Sequence, residues 1–419
     1  PDLVTPLSCL MPLYGNGLHR TAVFSIALRL NDLLSAQRNA GVEERIHLPG
    51  GRVLDPQDTM RQFPMVDAAD LKGAALWYDA CLPHSQRVLI ESLRWACSLG
   101  ATALNYVEAT RLLVAGGRVA GIEAFDHVGG HELEFRAKTV INAAGPWCGA
   151  VAERFHAAMP GDLPYSLAWN VLFEREALSP HALAVTARKP DAQTLFLCPW
   201  KGSLLAGTAH SKPLASHGDP VPDESQIASF IDEINDAVPG IDLQEHEIRR
   251  VFAGFLPARH GAKNSLAVRE TVAAHGQPAG LFSIAGIKFT TSRKVAERVL
   301  RLAAPAAVGS PQEGSWTSRS LKGLDANIDP SAEGWSRALE AVIAEESVCH
   351  LDDLVLRRTA LWESPKSALM RGPDLCGLFP WNEQRRNAEV ERLRKSLEPM
   401  GSLHQECAVT EPRERVAAP

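Results

Sequence analysis

The sequence predicts an α/β protein with α+β elements, in which a βα layer is interrupted by an antiparallel-sheet unit, resumes, and is followed by a helical cap. Three observations predict it. The apolar run Lys138 to Ala144 reads as a short strand ending in Gly145-Pro146-Trp147, with a helix after it. The run Leu281 to Ala285 reads as a buried strand that passes through Gly286 into a helix from Ser292 to Leu302. Between the two lie several strand-like runs and only one long helical stretch.

The elements follow in chain order. Residues 1 to 75 are rich in Pro, Gly and Leu and hold one clear helical stretch, Thr21 to Ala40, which Gly41 stops. Ser85 to Leu99 carries Val88, Leu89, Leu93, Ala96 and Leu99 at helical spacing and ends at Gly100. Thr102 to Val107 reads as a strand, and Arg111 to Ala115, Arg118 to Phe125 and His131 to Ala137 read as three more. The pairs Gly116-Gly117 and Gly129-Gly130 turn the chain between them. From Pro164 to Val268, the runs Ala168–Glu174, Thr194–Pro199, Ser203–Thr208 and Arg249–Phe255 alternate as strands around a helix at Asp223–Val238. A Pro/Gly/Ser-rich linker covers Ala303 to Gly323, helices dominate to about residue 400, and a loose tail follows Gly401.

Composition narrows the function. A chain of 419 residues has room for two or three domains with sizeable cores. Its 45% hydrophobic and 22% charged residues are ordinary for a globular enzyme. The net charge of -6 shows no basic bias, which argues against nucleic acid as a partner. None of the eight cysteines forms a Cys-x-x-Cys pair, so no metal site is expected, and scattered thiols suit a reducing compartment. Thr21 to Leu34 is broken by Arg29, Asn31 and Asp32 and is too short to span a bilayer. Its amphipathic spacing leaves contact with a membrane surface open beside the plain reading of a packed helix.

Two junctions can carry chemistry. At Val140–Trp147 a buried strand ends in small residues, so backbone can approach a flat or charged ligand; the bland reading is a tight turn. At Ile284–Arg298 a buried strand leads through Gly286 and Lys288 to a helix that Thr290 or Thr291 would cap. A helix start and a lysine suit an anion, and would stabilise negative charge as it forms on a bound ligand. The bland reading is a capped surface helix with a solvated lysine.

Taken together, Ala143-Ala144-Gly145-Pro146-Trp147 and Gly286-Ile287-Lys288-Phe289-Thr290-Thr291-Ser292-Arg293-Lys294 resemble the paired signatures of the FAD-dependent glycerol-3-phosphate dehydrogenase family, within the D-amino-acid oxidase-like flavoproteins. Tyr78-Asp79 with Ser85-Gln86-Arg87, Pro199-Trp200 with Gly207-Thr208, and Asp352 to Ala360 are similar to further family segments, so the resemblance covers residues 1 to about 365. It implies FAD as cofactor, bound by Ala143, Ala144, Gly145, Pro146, Trp147, Gly286, Ile287, Lys288, Phe289, Thr290 and Thr291. It also implies an FAD-binding Rossmann-like domain over 1–160 that lacks its first βαβ unit, a substrate domain over 161–275, a return to the FAD-binding domain over 276–305, and a helical cap over 306–400 before the tail at 401–419.

The chain departs from the family in four places. It has no Gly-x-Gly-x-x-Gly turn, since Gly15-Asn16-Gly17 lacks the spaced third glycine, and it is expected to be an N-terminally truncated piece. Leu256 stands where the family has a phosphate-binding arginine, with Arg259 close by, and Asn170 stands where it often has a histidine. One glycine of the late motif is Ile287. Arg269 matches a second family arginine.

The implied activity is oxidation of a secondary alcohol by hydride transfer to flavin, with Lys288, Arg269, Arg259 and Asn170 as the candidate catalytic residues. The implied partners are a small polar or anionic substrate and a quinone or oxygen as electron acceptor. The implied location is cytoplasmic, with peripheral contact on the cytoplasmic membrane left open. Two alternatives remain: the same chemistry on another hydroxy acid, amino acid or polyol, and a non-catalytic protein that keeps the fold.

Overall fold

The structure, a computed structural model, describes residues 3–15, 20–157, 159, 164–189, 192–212, 214, 220–258, 266, 270–286, 288–305 and 334–398. In chain order it runs β1 (Thr5–Leu13), α1 (Thr21–Leu34), β2 (Arg52–Leu54), α2 (Pro56–Gln62), β3 (Gly73–Cys81), α3 (Ser85–Ser98), β4 (Val107–Ala115), β5 (Arg118–Asp126), β6 (His131–Arg136), β7 (Val140–Asn142) and α4 (Cys148–Arg154). It continues β8 (Tyr165–Phe173), β9 (Ala182–Thr186), β10 (Thr194–Trp200), β11 (Ser203–His210), α5 (Glu224–Ala237), β12 (Ile248–Pro257), β13 (Thr271–Ala274), β14 (Leu281–Ala285) and α6 (Ser292–Ala303). The cap follows with α7 (Trp335–Glu345), α8 (Pro365–Met370), α9 (Gly372–Cys376) and α10 (Glu383–Leu397).

Three sheets organise these elements. The largest has eight strands in the order β12-β8-β11-β10-β9-β1-β3-β2. It is antiparallel except where β1 pairs in parallel with β9. It is therefore larger than the run 164–268 suggests, because β1, β2 and β3 join it from the N-terminal stretch. β1 and β3 are Pro- and Gly-bounded runs without clear alternation, which hides them from a reading by periodicity. A second sheet, β13-β14-β7, holds β14 and β7 in parallel. The third is the meander β4-β5-β6, turned at Gly116-Gly117 and Gly129-Gly130 as expected.

Helix limits differ modestly from expectation. α1 ends at Leu34, and turns carry the chain on to Gly41, where Ser35, Arg38 and Ala40 close short backbone bonds. Residues 101–106 are irregular, so the strand expected over Thr102–Val107 is not formed, and the strand expected over Arg111–Ala115 starts earlier, at Val107, as β4. α5 starts where Asp223 accepts from the Gln226 amide and Gln226 reaches back to the Asp223 amide, a reciprocal cap. α1 has no buried residue and exposes Ile26, Leu30, Leu33 and Leu34. No helix among the described residues is long and apolar enough to cross a membrane.

The main core lies between α5 and one face of the eight-stranded sheet. Ile227, Phe230, Ile231 and Ile234 of α5 meet Leu10, Leu76, Trp169, Val171, Phe173 and Leu183. The cap builds a second core from Leu339, Leu351, Leu354, Leu375 and Leu393, and it closes over Leu172, Leu205, Phe252 and Trp200 on the opposite face of the sheet. Charged groups pin this cap to α3. The buried Arg87 guanidinium donates to both carboxylate oxygens of Glu346, at 2.9 and 2.7 Å, and to Glu91. Tyr106 donates to Asp353, and Arg358 donates to Asp353 and to the Glu346 carbonyl.

Candidate functional site

β7 and β14 run parallel with Leu281, Phe282 and Ser283 opposite Val140, Ile141 and Asn142, so their C-terminal ends lie at one edge. Ligands of α/β sheets bind at such ends. Each strand leaves through a glycine in the left-handed region, Gly145 at φ 58° and Gly286 at φ 75°. A Cβ added to Gly145 would meet no atom within 4 Å, so this turn faces open space. The turn Gly145–Trp147 lies against both β12 and β14 and thereby joins the small sheet to the large one.

Buried polar groups hold the first turn. The Asn142 amide donates to the Cys148 carbonyl at 2.8 Å and to Ser283 Oγ at 3.4 Å, and its oxygen accepts from the Ala144 amide at 3.2 Å. His275 Nε2 lies 2.9 Å from Ser283 Oγ, and burial pushes the His275 imidazole below its ordinary pKa. These three residues were not among the expected site residues. The signal available for Asn142 was a lone amide at the end of an apolar strand run.

The second turn leads into α6 through a tight 3-10 turn, Phe289–Thr291. Neither threonine caps α6 as expected. The Thr291 hydroxyl donates back to the Lys288 carbonyl at 3.2 Å, because the 3-10 turn brings that oxygen within reach. The first turn of α6 holds no acidic residue, and Arg293 and Lys294 follow at once. Lys288, Phe289, Thr290 and Thr291 are all exposed. The arrangement presents a positively charged helix start beside two glycine turns.

The large sheet supplies the facing wall. On β8, Leu167, Trp169, Val171 and Phe173 point into the α5 core, so Ser166, Ala168, Asn170 and Leu172 point the other way. Asn170 stands opposite Phe252, Ala168 opposite Gly254, and Ser166 opposite Leu256. The Thr208 hydroxyl donates to Asn170 Oδ1 at 3.2 Å. A Cβ at Gly207 would fall 1.6 Å from the same oxygen, so only glycine admits the Asn170 side chain there. His210 stands opposite Ala168 with its Nδ1 buried and unpartnered. Burial pushes the Cys198 thiol up to about 11; burial, with Asp79, pushes Cys9 up to about 12, so both thiols stay protonated and unreactive.

The structure thus brings Ala143, Ala144, Gly145, Pro146 and Trp147 to the same sheet edge as Gly286, Lys288, Phe289, Thr290 and Thr291. Asn170 lies on the β8 wall. Arg259, Arg269 and Ile287 lie outside the described residues.

Residues 14–299 match the sequence pattern of the family described as FAD dependent oxidoreductase (DAO). The chain belongs to this family. The aerobic glycerol-3-phosphate dehydrogenase of Bacillus subtilis is 27% identical over 303 residues, which are 72% of this chain and 53% of that protein. The mitochondrial glycerol-3-phosphate dehydrogenase of Rattus norvegicus is 26% identical over 320 residues, 71% of this chain and 40% of that protein. The chain spans about half the length of the curated relatives it matches. Among solved structures, the glycerol-3-phosphate dehydrogenase from Bacillus halodurans complexed with FAD superposes with a TM-score of 0.70 at 19% identity, covering 96% of this chain and 83% of that one. This likeness shows the fold.

The family's cofactor fits what the two strand ends offer. Gly145 leaves room for a flat ring, and the α6 start with Lys288 suits negative charge on a ring edge. No Gly-x-Gly-x-x-Gly turn is present in the sequence, so no pyrophosphate contact is assigned.

Proposed function

We propose that this chain is the flavin- and substrate-facing part of an FAD-dependent dehydrogenase that oxidises a secondary alcohol of a small polar substrate. The carrying observation is the pair of glycine turns, Gly145 and Gly286, at adjacent parallel strand ends beside the basic start of α6. When bound, FAD supplies the redox chemistry by accepting hydride from the carbinol carbon. The protein's own part is orientation and charge. Lys288 and the α6 start hold an anionic ring edge. The turn held by Asn142 fixes the approach of the backbone. Asn170 directs its amide toward the substrate side of β8, with its oxygen already committed to Thr208. A quinone or oxygen as electron acceptor, and a cytoplasmic location with peripheral contact on the cytoplasmic membrane, are proposed on the sequence resemblance alone. Arg259 and Arg269 are proposed, on the sequence resemblance, to orient the substrate.

The test is to titrate FAD into the purified 419-residue chain and follow flavin absorbance through gel filtration, then add secondary alcohols without oxygen. Retained flavin that bleaches with an alcohol is the expected result. Lys288→Ala should leave the melting temperature unchanged and weaken FAD retention by about fivefold. Flavin that never associates, in the chain or in a version extended with a phosphate-binding βαβ unit, overturns the reading.

A further inference from the structure

The polar side chains behind the first glycine turn form a hydrogen-bond chain with a direction. Asn142 stands opposite Ser283 in the parallel pair β7–β14, and the two are 4% and 0% exposed. Ser283 in turn stands opposite Ala273 of β13. His275, two residues beyond Ala273, is the diagonal neighbour of Ser283 on the same face. The His275 amide donates to the Leu281 carbonyl at 3.0 Å, which fixes the backbone that carries the ring.

The partners of Asn142 determine which way its amide points. The Cys148 carbonyl can only accept and the Ala144 amide can only donate, so Nδ2 faces the first at 2.8 Å and Oδ1 faces the second at 3.2 Å. Ser283 Oγ, 3.4 Å from Nδ2, must then accept, and its own proton must point elsewhere. Two groups can take that proton. One is His275 Nε2 at 2.9 Å; burial lowers the imidazole pKa, so at neutral pH the ring is neutral and Nε2 offers a lone pair. The other is the Cys148 thiol, which burial keeps protonated and which accepts only weakly. The imidazole is the stronger acceptor.

From this chain we infer that His275 is a positioning residue: it holds the Ser283 proton, so that Ser283 presents a lone pair to Asn142 and the Asn142 amide stays turned to bridge Ala144 and Cys148 across the first glycine turn. Without the imidazole, the Ser283 hydroxyl is free to donate toward Asn142. An amide turned over to accept it would set its oxygen against the Cys148 carbonyl and its NH2 against the Ala144 amide, and both bonds across the turn would be lost. That this turn faces the flavin rests on the proposed function; that His275 sets the turn does not, and the two can fail separately.

The experiment is hydrogen exchange, read by mass spectrometry, on the full 419-residue chain without added flavin, followed by FAD retention on the same variants. His275→Leu removes the acceptor at a half-buried position, and exchange of the amides in residues 143–148 should speed up about fivefold. His275→Gln returns a side-chain oxygen to the place of Nε2 and should restore the original rate. Ser283→Ala should speed the same amides, and in that background His275→Leu should add nothing. The amides of α5 should keep their rates throughout. Unchanged exchange in His275→Leu overturns the inference. So does a speeding that α5 shares, that His275→Gln leaves in place, or that persists on top of Ser283→Ala. FAD retention judges the other reading. Weaker retention in the variants with a loosened turn, recovered in His275→Gln, supports flavin contact there. Retention equal in all variants, or absent from all, counts against that contact and leaves the role of His275 as the exchange rates decide it.

Discussion

On the α5 side of the eight-stranded sheet, Trp169, Val171 and Phe173 meet Phe230 and Ile234 in a continuous apolar core. On the other side the same strand turns Leu172 under the cap but leaves Asn170 half-buried beside the open space over Gly254. One face is filled by a helix whose register matches it, and the other is only partly covered by the cap. The difference shows how a two-residue period lets one strand serve stability and recognition at once. It also leaves Asn170, the one half-buried residue of β8, on the face that α5 does not cover.

The comparison breaks most readily through mutations on its two sides. Phe230→Ala should cost about 3–5 kcal/mol in denaturant unfolding, because it opens a cavity in the fully buried face. Leu256→Ala on the open face should cost less than about 1 kcal/mol. Equal costs would mean that the two faces are packed alike. Glu346→Gln should come next, at roughly 3 kcal/mol, since Arg87 would be left buried with a weakened partner. Its early sign should be protease cleavage in the cap, with the α5 core still resistant.

A smaller effect is expected from pH. Burial works against the Glu389 charge, but hydrogen bonds from His350 and the Leu351 amide, with Arg385 close by, hold its pKa below the ordinary carboxylate value. A carboxylate lowered in the folded state stabilises above its unfolded pKa of about 4.3 and loses that contribution as pH falls through the folded value. The cap should therefore loosen below about pH 4, and Glu389→Gln should flatten that part of the stability curve. An unchanged acid limb would remove Glu389 from the account.

The sequence made the two glycine junctions legible because each is a short apolar strand that stops at small residues, and Leu281–Ala285 is found as read. It made α5 legible through its apolar spacing. It did not disclose β1 and β3, because they pair with each other across a long intervening stretch, and β1 joins the rest of the sheet only through Cys9 and Leu10 opposite Ala182 and Leu183 of β9, so nothing local marks them as members of that sheet. Nor did it disclose that Thr291 would bond backwards, since a threonine before a helix has the same composition whether it caps or closes a 3-10 turn. Asn170 was visible as a departure from the family, but its pairing with Thr208 against Gly207 depends on three-dimensional register.

The Arg87–Glu346 pair joins residues 259 positions apart in the chain. A ribosome adding ~5–20 residues per second would need about 13 to 52 seconds to go from the first to the second. During that time α3 is complete, but its guanidinium has no carboxylate from the cap to receive it. The nascent chain therefore spends much of its synthesis with a cationic, partly apolar helix uncovered, which is the kind of surface that holdase chaperones protect. Slowing translation after α3 should lengthen that exposure, while expressing the cap segment alongside should shorten it.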